Sequence, residues 1–167
     1  MGEQTQHKNN RYDMQVNKKV LDTCAKIARE YKVRFKFEQA DIEAIFGYAL
    51  CSKQKIVIKY GKNQTTRVFL SIFCHEIAHC LNYRNKKFFA FHSLNKLEDA
   101  TRRHIQLAIR TGLRAERYTD KVGRQLMKKL FPGCRYTAFY NRQDMRDCYR
   151  ILVAERMKEY LLTSNKK

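Results

Sequence analysis

"FLSIFCHEIAHCLNY", residues 69–83, is apolar almost throughout, yet it carries two histidines and a glutamate at its centre. Read from Thr66 to Arg84, the segment predicts one helix, with Thr65 or Thr66 as its N-cap. Positions 68, 69, 70, 72, 73, 74, 77, 78, 80 and 81 are all apolar or cysteine, so the helix is expected to be buried almost all round. Ser71, His75 and His79 stand four apart on one stripe, and Glu76 lies just beside it. Buried imidazoles and carboxylates cost several kcal/mol in desolvation unless they are partnered. One metal ion would partner all of them.

The pattern His75-Glu76-Ile77-Ala78-His79 is H-E-x-x-H. Histidines at i and i+4 can both reach one Zn²⁺ at about 2.0–2.1 Å. Glu76 is rotated off that line. It is placed to act as a general base towards a water rather than as a ligand.

Outward from this helix, "VRFKFEQ" (33–39), "AIFGYALC" (44–51) and "KIVIKY" (55–60) read as strands of a small antiparallel sheet. A helix is expected from Asn17 to Tyr31, where Val20, Leu21, Cys24, Ile27 and Ala28 share a face. A long helical pattern runs from about Leu97 to Phe131, with a break expected near Gly112, and ends at "FPG". A last helix is expected over about Gln143 to Leu162. The polar residues 1–16 are expected to be a flexible N-terminus, and 17–167 to form one α+β domain.

A sheet followed by an H-E-x-x-H helix resembles the zincin metallopeptidases. That resemblance implies a zincin-like fold and peptide-bond hydrolysis by a zinc-activated water. A catalytic zinc needs a third protein ligand. The metzincin extension is absent, since Asn82 and Asn85 occupy the positions of its Gly and third His. Glu116 and Asp120, at i and i+4, resemble instead the gluzincin pattern. Carried over, Glu116 is the third ligand and Asp120 orients His75 by a hydrogen bond. Gly112 and Gly123 bracket the two carboxylates on one stripe and would allow close helix approach. The competing reading makes Glu116 and Asp120 surface partners of Arg114, Arg117, Lys121 and Arg124. A rival third ligand is His92, thirteen residues after His79, as in SprT-like proteases, which act on DNA-bound proteins; it could instead donate a hydrogen bond in an active site. His104 reads as an ordinary helix histidine and His7 as part of the tail. The 36 residues between His79 and Glu116 exceed the compact gluzincin spacing, which marks "NKKFFAFHSLNKLED" (85–99) as a flap or substrate-binding insertion.

Composition narrows the classes further. Of the 167 residues 44% are apolar, which excludes wholesale disorder. No apolar run approaches the ~18 residues of a membrane span, and no signal peptide is visible. The six cysteines form no C-x2-C pair and read as reduced, buried thiols of a cytoplasmic protein. The net charge is +19, with 13 basic against 7 acidic residues in 1–66, 10 against 5 in 67–120 and 12 against 4 in 121–167. A basic surface of this kind attracts nucleic acid without sequence preference. Small basic H-E-x-x-H chains resemble those of bacteriophages and mobile elements. The expected activity is a gluzincin-type zinc metallopeptidase acting on a protein or peptide, with His75, His79 and Glu116 holding the metal and Glu76 as base. A SprT-like protease of nucleic-acid-bound proteins and a non-catalytic zinc-binding interaction protein are the other classes.

Overall fold

The most apolar strand of the chain takes the centre of its sheet. A computed structural model describes residues 12, 14–43, 45–85 and 102–138, with single positions at 147, 151 and 154. The chain enters through α1 (Lys18–Glu30), capped by Asn17, whose side chain accepts the Val20 N–H at 3.1 Å. α1 buries Leu21, Cys24, Ile27 and Ala28 along one face. Lys32, at φ 56°, then turns the backbone into β1 (Arg34–Gln39). β2 (Phe46–Leu50) follows, and a single 3-10 turn at Cys51–Lys53 leads back into β3 (Lys55–Tyr60).

The spatial order is β1-β3-β2. β2 and β3 are antiparallel, with Phe46 opposite Lys59 and Leu50 opposite Lys55, as their short connection requires. β1 is parallel to β3, with Arg34 opposite Lys55 and Gln39 opposite Tyr60. The sheet is therefore mixed, which corrects the antiparallel sheet expected from sequence. Strand alternation reports which face a residue occupies and says nothing about which strand lies alongside. The six residues between Gln39 and Phe46 can span about 20 Å, twice what is needed to pass over one strand. The central place then goes to β3, which buries Ile56, Val57, Ile58 and Tyr60, while β1 and β2 are half-exposed edges.

One sheet face carries Phe35, Ile56, Ile58 and Tyr60 and packs on α2 (Thr66–Arg84) and α1. The ring of Phe35 meets Phe73 at 5.2 Å and Tyr60 meets Phe69 at 5.2 Å, both edge to face. The start of α2 is held from outside the helix. Thr65 accepts the Val68 N–H at 3.4 Å, and the carbonyls of Met14 and Tyr12 accept the Thr66 and Arg67 N–H groups, each at 2.8 Å.

α3 (Arg102–Leu130) lies against the other side of α2, burying Ala115, Leu126 and Met127. It runs through Gly112 without the break expected there, and Phe131 and Pro132 follow its end. The helix expected at 143–162 falls almost wholly outside the described residues; Asp147, Ile151 and Ala154 are helical. Cys24, Cys51, Cys74, Cys80 and Cys134 are buried free thiols. No helix among the described residues is long and apolar enough to cross a membrane.

Phe73, fully buried between sheet and α2, is a test of this core. Phe73→Ala is expected to cost about 3–5 kcal/mol and Ile58→Val about 0.5–1.5 kcal/mol, read from denaturant midpoints at unchanged m-value.

Candidate metal centre

The buried polar stripe of α2 meets partners on α3 and on the segment that follows it. His75 Nε2 and His79 Nε2 lie 3.1 Å apart. Glu116 Oε2, from the inner face of α3, stands 3.3 Å from the first and 3.4 Å from the second. The three atoms form a nearly equilateral triangle. Ligand atoms bound tetrahedrally at 2.0–2.1 Å to one ion stand roughly 3.3 Å apart. His75, His79 and Glu116 can thus hold a metal ion with no more than small adjustments. Two imidazole nitrogens and a carboxylate oxygen are the donor set of first-row divalent ions.

The electrostatics favour a cation at that point. Burial alone would raise Glu116, but hydrogen bonds from His75 and His79 and their charge outweigh it, holding the carboxyl well below the usual carboxylate range. Burial pulls His79 down, yet the hydrogen bond and charge of Glu116, with further help from Glu76, lift it to about 9. Glu76 behaves oppositely to Glu116. Its desolvation dominates and pushes its pKa up, against the pull of His79 and His75. The two carboxyls are thus shifted in opposite directions by their surroundings.

Glu76 reaches its place because β2 carries a glycine there. A Cβ on Gly47 would stand 2.6 Å from Ile72 Cγ2 and 2.9 Å from Glu76 Cγ. A second glycine sets the helix spacing. A Cβ on Gly123 would stand 3.2 Å from His75 Cα and 3.0 Å from the Tyr136 hydroxyl, so α3 passes directly over the His75 backbone. Gly112, the other glycine of the predicted stripe, is also buried.

Asp120 lies 4.0 Å from His75 Nδ1, too far for the direct hydrogen bond expected from the gluzincin resemblance. Tyr136 joins the two. Its hydroxyl donates to Asp120 Oδ1 at 2.9 Å and stands 3.4 Å from His75 Nδ1, where it can accept the ring N–H. That proton position leaves the Nε2 lone pair for a metal. Burial, then the Asp120 charge, raises the Tyr136 pKa strongly, so the hydroxyl keeps its proton. Arg124 closes the group, 3.6 Å from Asp120 Oδ2 and 5.6 Å from the Tyr136 ring centre.

Sequence reasoning missed Tyr136. It follows the "FPG" stop in a stretch without periodicity, and 61 positions separate it from His75. Ser71 is what brings it in: its hydroxyl accepts the Thr137 N–H at 3.0 Å and pins that segment to α2. Ser71 thus belongs to the stripe as an anchor, away from the ligand triangle. Asn82 continues the stripe and donates to Thr119 at 2.9 Å. The neighbouring Cys80 thiol holds the Cys51 pKa below the usual thiol range, against its own burial. His92 and His7 lie outside the described residues, and for His104 only its place in α3 is described.

Tyr136→Phe and Asp120→Asn are each expected to weaken metal binding by about 10–100-fold. Because both interrupt one chain to Nδ1, the double variant should lose little more than either single variant. Competitive titration against a chromophoric chelator measures this, and fully additive losses would refute the shared chain. The chain matches no protein-family model, no curated protein and no solved structure.

Proposed function

We propose that the protein is a zinc-dependent metallopeptidase of gluzincin type, with a zincin-like arrangement of its sheet and two site helices. The observation that carries this is the triangle of His75 Nε2, His79 Nε2 and Glu116 Oε2, with sides of 3.1, 3.3 and 3.4 Å. Three protein ligands leave room for a water, the arrangement of a catalytic rather than a structural zinc. Bound there, Zn²⁺ would supply Lewis acidity and make a water acidic enough to deprotonate near neutral pH. The residues do the rest. Glu76, whose pKa burial raises, takes the proton from the attacking water and can pass it to the departing amine. Glu116 and the two histidines hold position, and Tyr136 with Asp120 keeps His75 in one tautomer. The SprT-like alternative, with His92 as third ligand, is disfavoured because Glu116 already stands within 3.4 Å of both histidines.

Purified protein is expected to carry about one Zn²⁺ per chain. Glu76→Gln should keep zinc and fold while cleavage of an unfolded protein substrate falls by about 10²–10⁴. Elemental analysis beside a casein-type assay decides it; near-normal cleavage by Glu76→Gln removes Glu76 as the base, and metal-free protein removes the reading altogether.

The third ligand has its own test. Glu116→Ala leaves two protein ligands and should collapse zinc affinity, whereas His92→Ala should leave it close to wild type. Zinc titration of both, with circular dichroism to confirm folding, separates the models, and the reverse pattern would establish the His92 set.

A further inference from the structure

α3 has a second, outward face that the metal centre does not use. Its 29 residues carry nine Lys or Arg and only two carboxylates, Glu116 and Asp120. Both carboxylates are turned inward, Glu116 to the histidines and Asp120 to Tyr136. Arg110, Arg114, Arg117, Lys121, Arg124 and Lys128 follow one another in alternating steps of four and three, and all six are exposed. At 3.6 residues per turn they fall within about 80° of arc, as one row about 27 Å long. Of these six, Arg124 alone has a carboxylate of a described residue in ion-pair range, at 3.6 Å. Glu116, turned to the histidines, is spent on the centre, and Asp120 reaches only Arg124 of the outer row.

We propose that this row on α3 docks the phosphate backbone of duplex DNA, without base readout. A straight line of one sign of charge matches a polyanion of regular, dense charge, about one per 1.7 Å of duplex axis. A single-strand platform would need several stacking aromatics, and Tyr118 is the only exposed ring beside the described row. A membrane-surface helix would turn an apolar face outward, whereas the apolar face of α3 is spent against α2. The B-form major groove, about 12 Å wide, admits a helix face, which the A-form groove of duplex RNA does not. A bound duplex would lie about one helix diameter, 10–12 Å, from the ligand triangle.

The test reads binding, not hydrolysis, so it is made on the intact Glu76→Gln protein and stands apart from the peptidase reading. Fluorescence anisotropy with a mixed-sequence duplex of about 25 base pairs, from about 50 to 300 mM salt, should give a log–log salt slope of about −5. The triple change Arg114→Gln, Arg117→Gln, Lys121→Gln should weaken binding by about tenfold or more and reduce the slope by about 3. Arg124 is left intact because it contacts Asp120. The triple change Lys26→Gln, Lys53→Gln, Lys62→Gln removes as many exposed charges elsewhere and should shift affinity by no more than about twofold. Thermal melting and circular dichroism confirm that both triples fold. Equal losses in the two triples would mean a diffuse polycation and overturn the proposal. So would tighter binding to duplex RNA of the same sequence, or to phosphatidylserine vesicles, than to duplex DNA.

Discussion

α2 is buried on every side, and its polar residues have nowhere to go but towards one another's partners. Thirteen of its nineteen residues are buried. On the sheet side they are apolar apart from Glu76, with Phe69, Phe73 and Ile77 filling the core. On the α3 side lies a stripe of four polar residues, each answered by a group from α3 or the segment after it. Ser71 meets Thr137, His75 meets Glu116 and Tyr136, His79 meets Glu116, and Asn82 meets Thr119. An unpartnered polar group at any of these positions would cost a few kcal/mol, so the stripe orients α3 as firmly as apolar packing does. The candidate centre is the middle of that interface.

Backbone approach limits how the interface can form. Gly123 brings α3 onto the His75 backbone, and a short carboxylate such as Glu116 spans the remaining distance. Gly47 does the same on the sheet side for Glu76. The two carboxylates then sit in opposed environments. Glu116 is stabilised as an anion by two imidazoles, while desolvation against a strand raises the pKa of Glu76. Environments that push two carboxyls apart in this way suit them to different roles.

α3 presents two faces of different character, because a helix turns its successive residues to independent sides. Its inward face is small and acidic where it crosses α2, and its outward face is a row of cations. Glu116 faces the histidines, and Asp120 lies between Tyr136 inside and Arg124 on the outer row.

Much of this was legible in the residues. The span of α2, its Thr65 cap, the helix capped at Asn17 and the bounds of β3 follow from local periodicity and capping, which depend on neighbours a few positions away. The pair His75 and His79 was visible for the same reason, since one helical turn sets their separation. Glu116 was legible only through its i, i+4 partner Asp120 and the flanking glycines, with His92 an open rival. Tertiary structure decided the rest. Which strand lies beside β3 depends on where a six-residue connection crosses, and alternation carries no record of that. That Glu116 faces the histidines rather than the surrounding arginines depends on the rotation of α3 against α2. Tyr136, 61 residues from the ring it steadies, arrives through a hydrogen bond to Ser71 that no local pattern announces. Local sequence sets what each element can present, and packing between elements far apart in the chain sets which of those groups meet.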